Sequence, residues 1–190
     1  MNIITGTARG TKLRTLEGEA TRPTLQRAKE VIFSAIQFDI EGRVVLDLFA
    51  GSGQMGLEAL SRGAEKAVFV DRSQDAFDVI KENAQKTHLY KNCRIVNADY
   101  AEYLLTAKRS GLKFDIVFVD PPYGAGLLAP ALKALYVNGL LREGATVAAE
   151  WDKDSLFDEE PYLSEMYDLM KLYKSGRIYF YKLQPKFKEE

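Results

Sequence analysis

The chain has 190 residues, 46% of them apolar and 28% charged, with a net charge of −1. That is the composition of one soluble globular domain, large enough to bury a full core without staples. Cys93 is the only cysteine, which excludes an internal disulfide and a multi-cysteine metal site; no apolar run reaches the ~18 residues of a membrane span, and MNIITGTARG lacks a signal-peptide core, so a cytoplasmic protein is expected.

The first 40 residues stand apart. NIITGTARGTKL is short and strand-like, and a polar loop follows it. RPTLQRAKEVIFSAI then places Ala28, Ile32 and Ala35 or Ile36 on one helix face. Residues 1–30 carry Arg9, Lys12, Arg14, Arg22, Arg27 and Lys29 against Glu17, Glu19 and Glu30. Such an excess is either a solvated face or a place to meet phosphates. The segment offers little obvious core.

From residue 41 the pattern alternates. RVVLDLF (43–49) is a strand cut off by AGSG, and Gln54 to Ser61 is compatible with a helix that Gly63 closes. KAVFVD (66–71) is a second strand, and Ser73 caps a helix with Phe77, Ile80 and Ala84 at helical spacing. CRIVNAD (93–99) is a third strand, followed by a short helix over 101–109. FDIVFVD is a fourth, with Asp115 to Asp120 buried, then a helix over 127–136, and ATVAAEW (145–151) is a fifth. Strands alternating with helices predict βαβ units and a mostly parallel sheet. DLMKLYKSGRIYFYKL (168–183) breaks the alternation as a hairpin around Lys174-Ser175-Gly176, and residues 186–190 read as a tail.

DLFAGSGQMG contains Gly51-x-Gly53-x-x-Gly56 between a strand and a helix, where backbone can approach a ligand closely. Asp71 ends the next strand, 20 residues after Gly51, where a carboxylate can accept from ribose hydroxyls. A bare strand-to-helix turn would need neither. A nicotinamide dehydrogenase would share these features, but it needs an acid-base group near the hydride. The single histidine, His88, lies in a polar connection and reads as a surface residue. Tyr167 and Lys171 have Tyr-x-x-x-Lys spacing in a strand-like run, which we take as chance, and Cys93 reads as a small packed residue. Two acids favour S-adenosylmethionine instead. Asp47 can meet its cationic methionine end, whereas it would repel a pyrophosphate. Asp99, in N-A-D, could accept from the adenine amino group. Each acid alone could be a helix cap. With Asp120 they put four carboxylates near the carboxyl ends of strands, where open α/β sheets bind ligands. Phe49, Ala50, Gly51, Ser52, Gly53, Arg72 and Tyr100, beside these acids, complete the expected cofactor set.

VDPPYG (119–124) asks why a strand ends on a carboxylate and then stiffens. An exocyclic amine on a planar base is a weak nucleophile, because its lone pair is delocalised into the ring. Asp120 can accept one of its protons and the Pro121 carbonyl the other. Pro121 and Pro122 fix the backbone in advance, and Tyr123 offers a ring for the base to stack on. The bland alternative is a proline turn with a capping acid.

This order of motifs resembles the class I S-adenosylmethionine-dependent amino methyltransferases. More narrowly the chain resembles the RsmD family of bacterial 16S rRNA guanine-N2 methyltransferases. The matching residues are Ile3-Ile4-x-Gly6, Arg9-Gly10-x-Lys12-Leu13, Arg22-Pro23-Thr24, Arg27-x-Lys29-Glu30, Asp47 to Gly53, Gly56 to Ala64, and Phe118 to Tyr123. The glycine loop and DPPY are shared by many methylases, whereas the two N-terminal segments are more specific. The resemblance implies a Rossmann-like seven-stranded sheet with an antiparallel hairpin strand. It also implies a guanine of small-subunit rRNA, in an assembled or partly assembled particle, as substrate. Departures are Gln54-Met55, where Ala-Leu is expected, and Thr5 and Thr7. Relatives can carry phenylalanine for Tyr123, so its hydroxyl is expected to be dispensable.

The expected organisation is an N-terminal RNA-binding extension, a short β-hairpin with its leading helix, over 1–40, built on Arg9, Lys12, Arg14, Arg22 and Arg27, and a methyltransferase domain over 41–185. A monomer without metal is expected. The rivals are an adenine-N6 methylase, which would use the same clamp but lacks a target-recognition domain here, and a nonenzymatic nucleotide-binding module.

Overall fold

The computed structural model describes residues 1–16 and 23–187, and of residues 23–28 the backbone alone. At its centre is β4 (Phe114–Val119), six consecutive buried residues. A strand covered on both faces has no polar side to show, so it reads as a continuous apolar run. β1 (Val44–Leu48) pairs parallel to one side of β4 and β5 (Leu141–Trp151) to the other. β2 (Lys66–Asp71) and β3 (Cys93–Asn97) extend the sheet beyond β1. β7 (Ile178–Pro185) runs antiparallel to β5, and β6 (Tyr167–Ser175) antiparallel to β7. The order β3-β2-β1-β4-β5-β7-β6 gives the expected seven-stranded, mostly parallel sheet with its antiparallel hairpin.

Two cores flank the sheet. One face packs under α1 (Pro23–Ile36), α2 (Gln54–Ser61) and α3 (Gln74–Lys86), with Ile32, Ile36, Leu57 and Ile80 buried there. The other packs under α4 (Tyr100–Arg109), α5 (Leu128–Val137) and the short α6 (Leu156–Glu159). β5 begins at Leu141, four residues before the expected start at Ala145: Leu141 pairs with Phe114 and Thr146 with Ile116, so β5 carries the extra residues as a bulge in which Arg142, Glu143 and Gly144 are exposed. Among the described residues no helix is long and apolar enough to cross a membrane.

The N-terminal segment corrects the expectation of little core. Ile3, Ala8 and Leu13 are buried at 1%, 6% and 3% exposure. Its two limbs are joined by the isolated bridge of Asn2 to Lys12 and by the Gly10 N–H, which donates to the Ile3 carbonyl at 2.9 Å. The segment is held by α2. Glu58, 1% exposed, accepts from the backbone N–H of Ile4 (2.7 Å) and Thr5 (3.0 Å) and from Arg62 Nε (2.7 Å). Gly6 has φ +86°, and a Cβ there would lie 1.7 Å from the Ser61 carbonyl oxygen. The chain can pass this close to the helix only as glycine.

Strand order reverses between β1 and β4, so their connections leave on opposite faces and a crevice opens at their carboxyl ends.

Candidate active site

The crevice holds a cavity of about 560 Å³, within the usual range for small-molecule sites. Its lining includes Asp47, Phe49, Ala50, Gly51, Ser52, Asp71, Arg72, Asp99, Tyr100, Asp120, Pro121, Pro122 and Tyr123. Every expected cofactor or catalytic residue except Gly53 is therefore in one wall.

The glycine loop owes its shape to left-handed backbone. Phe49 (φ 68°), Gly51 (φ 52°) and Gly53 (φ 76°) turn the chain from β1 into α2. An aromatic residue in this region is strained by about 1–2 kcal/mol. Phe49 is kept there by Ala50, whose N–H donates to the Val70 carbonyl at 3.0 Å, and by ring contact with Tyr100 at 5.1 Å. Gly56 serves packing: a Cβ there would lie 2.3 Å from the buried Phe69 ring. Asn83 of α3, fully buried, donates to the carbonyls of Ser52 (3.0 Å) and Arg14 (2.9 Å). It ties the loop to the N-terminal segment.

The acids have distinct tasks. Asp47 is 3% exposed, and its Oδ2 accepts from the Gly56 N–H at 2.8 Å, clasping the first turn of α2. Asp71 accepts from the N–H groups of Gly51 and Ser73, both at 2.9 Å. Each of its oxygens keeps a second lone pair that can accept from a ligand hydroxyl. Asp99 caps α4 through the Ala101 N–H at 2.8 Å and is exposed toward the cavity. Four carboxylates around one cavity suit a cationic ligand and oppose a pyrophosphate.

Asp120 follows the last residue of β4, and Pro121 behind it is buried. The Pro122 carbonyl accepts from the Ala125 N–H at 3.3 Å, while the Pro121 carbonyl accepts no hydrogen bond among the described residues. That leaves it available to an incoming amine. The Tyr123 ring is 56% exposed, but its hydroxyl donates to Glu150, a 7% exposed carboxyl near the end of β5. The hydroxyl expected to be dispensable thus has a buried partner. Burial pushes the Glu150 carboxyl above its ordinary value, against the Tyr123 hydrogen bond and the charge of Lys29.

Sequence reasoning missed other cavity residues, among them Met1, Leu16, Lys29, Gln54, Met55 and Leu127. The Lys29 ammonium donates to Gln54 Oε1 and contacts Met1 Sδ at 3.2 Å. Arg9, Lys12 and Arg14 do not line the cavity; Arg9 and Lys12 are exposed, and Arg14 pairs with Glu82 at 2.6 Å. Arg22 and the side chain of Arg27 lie outside the described residues. His88 is exposed, and burial raises the Cys93 thiol to about 12. The Tyr167 hydroxyl is buried and donates to the Leu132 carbonyl at 2.8 Å, away from the cavity. Among the described residues no cluster of three or more His, Cys, Asp or Glu could hold a metal.

Comparison with known proteins places this geometry. The family model described as "Conserved hypothetical protein 95" matches residues 1–182. The chain is 35% identical to the ribosomal RNA small subunit methyltransferase D of Haemophilus influenzae, over 81% of this chain and 80% of that one. It is 36% identical to the protein of the same name from Escherichia coli K12, over 79% of this chain and 74% of that one. The solved structure of the Escherichia coli protein yhhF superposes with a TM-score of 0.84 at 31% identity, covering 99% of each chain.

Proposed function

Since the chain belongs to the Conserved hypothetical protein 95 family, and relatives sharing most of its length are named as small-subunit rRNA methyltransferases, we propose that it methylates the exocyclic N2 amine of a guanine in 16S rRNA, using S-adenosylmethionine. The observation that carries this reading is the shared wall: the glycine loop, Asp71 and the DPPY turn face one cavity.

The residues fit the cofactor. Asp47, Asp71 and Asp99 line the cavity, and in this reading Asp71 accepts from the ribose hydroxyls, Asp99 from the adenine amino group, and Asp47 meets the positively charged methionine end. Bound there, S-adenosylmethionine supplies an electrophilic methyl group on a sulfonium centre. The protein's work is on the nucleophile. Asp120 accepts one amine proton and the Pro121 carbonyl the other, which raises electron density on nitrogen and aims its lone pair. As the nitrogen takes the methyl carbon, whose bond to the sulfonium breaks and leaves a neutral thioether, the nitrogen becomes cationic, and the Asp120 carboxylate would stabilise that charge and take the proton. The Tyr123 ring stacks on the extruded base. Arg9 and Lys12 are the exposed cations we assign to the RNA backbone, within an N-terminal segment that also completes the cofactor wall through Met1 and Leu16.

The test is methyl transfer from labelled S-adenosylmethionine to 16S rRNA or small subunits. Asp120→Ala should keep cofactor affinity and lose roughly 10²–10⁴-fold in rate, the range for a general base. An equal fall in cofactor affinity would make Asp120 a cofactor ligand or a structural cap. No transfer by the unaltered protein would return the reading to a nucleotide-binding module.

A further inference from the structure

Glu150 is a carboxyl buried where an apolar residue would pack. It follows Ala148 by two positions on β5, so it faces the side of the sheet that α1 covers, where Ala148 packs with Ile32, Phe33 and Ile36. Burying a carboxyl there is costly unless it is hydrogen-bonded. The bond it accepts comes from the Tyr123 hydroxyl.

The loop that carries Tyr123 has little else to hold it. Gly124 (φ 72°) and Gly126 (φ 65°) take left-handed backbone, and a Cβ at either would meet nothing within 4 Å. One backbone bond, Ala125 N–H to Pro122 carbonyl at 3.3 Å, closes the turn. Among the described residues, the Tyr123–Glu150 contact is the one side-chain hydrogen bond from residues 121–127 to the rest of the protein. Tyr123 also lines both the 560 Å³ cavity and a smaller one of about 70 Å³ bounded by Pro122, Glu150 and Trp151. Its ring turns on two torsions unless the hydroxyl is fixed.

We propose that Glu150 is a positioning residue for the target base: by accepting from the Tyr123 hydroxyl it fixes the angle of the stacking ring beside Asp120. The claim rests on the methyl-transfer reading above. It assigns the hydroxyl a task that stacking alone does not require, and it separates the area of the ring, which phenylalanine also provides, from its orientation. A ring held in place presents the amine to Asp120 and the Pro121 carbonyl at one distance; a loose ring lets the base bind in many poses, few of them reactive.

The experiment is a double-mutant cycle on the full-length protein, read as kcat and KM for 16S rRNA, with S-adenosylmethionine affinity and thermal unfolding measured on every variant. Glu150→Ala and Tyr123→Phe should each lower kcat/KM for RNA by about 10- to 100-fold, the scale of a 1 Å misplacement. Combined, they should fall no further than the worse single change, within about two-fold, since they break the same contact. Glu150→Gln, which retains a carbonyl acceptor, should recover most of the loss. Cofactor affinity should be the same throughout. Losses that multiply in the double variant, or a Tyr123→Phe protein as active as the original, would overturn the proposal. So would a parallel loss of cofactor affinity, which would mark Glu150 as a support of the fold. If Glu150→Ala does not fold, Tyr123→Phe and Glu150→Gln decide it. A protein that binds the cofactor and transfers no methyl before any substitution would instead sink the methyl-transfer reading.

Discussion

Replacing Glu58 by alanine is the sharpest test of whether the N-terminal segment belongs to the catalytic body. The carboxylate is 1% exposed and accepts from three donors, the Ile4 and Thr5 amides and Arg62 Nε. Its removal leaves two backbone N–H groups and Arg62 Nε without their acceptor. Breaking a buried charge pair from one side costs about 3–5 kcal/mol. For a chain of this length that is a fall of roughly 6–20 °C in Tm, at ~2–4 °C per kcal/mol. Thermal unfolding followed by circular dichroism at neutral pH measures it. Cofactor affinity, read by calorimetry on the same protein, should weaken as well, because Met1 and Leu16 of the same segment line the cavity. A loss below about 1 kcal/mol, the usual size for a surface substitution or a little more, with unchanged affinity, would refute the reasoning. The segment would then be a peripheral arm.

Asp71→Ala should weaken S-adenosylmethionine binding by about 1.5–3 kcal/mol, the worth of a hydrogen bond to a charged group, and calorimetry showing unchanged affinity would remove it from the ribose site. Changing Arg9 and Lys12 together to alanine should weaken RNA binding alike for all sequences and flatten its salt dependence by a slope of about one to two; identical titrations would make them a solvated face. Glu150→Gln should change how stability varies with pH. Because the folded carboxyl titrates above its ordinary 4.5 through burial, the native state holds a proton that the unfolded chain has lost, and stability falls as pH rises from 4.5 through the raised value. Glutamine removes that slope, so urea unfolding should show the variant at least as stable above the window, and parallel curves would contradict it.

The parts of the site that were legible in the sequence are those announced by local pattern. An apolar run that stops at an acid or a glycine marks a strand end, and Asp47, Asp71, Asp99 and Asp120 all reach one cavity because parallel strands finish on one edge. Glu58, Asn83 and Glu150 carried no such mark. Glu58 and Asn83 sit in helices, where a polar residue looks like part of the outer face, and their partners in the N-terminal segment lie 53 to 69 residues away. Glu150 finds Tyr123 across 27 residues. Ile3, Ala8 and Leu13 were hidden by the polar and glycine residues between them, which are the ones that let the segment run close to α2. The left-handed Phe49 follows from the turn it must make, and nothing in an extended apolar run signals it.

The central claim is that the methyl group goes to a guanine N2 of small-subunit rRNA. The most direct measurement is to treat small subunits, from cells lacking this activity, with the protein and labelled S-adenosylmethionine, digest the RNA to nucleosides, and identify the labelled product by mass. N2-methylguanosine from 16S rRNA, absent with Asp120→Ala, is the predicted result. Label in N6-methyladenosine would contradict it and make the clamp an adenine site, and label confined to DNA or to no nucleic acid would remove the ribosomal substrate altogether.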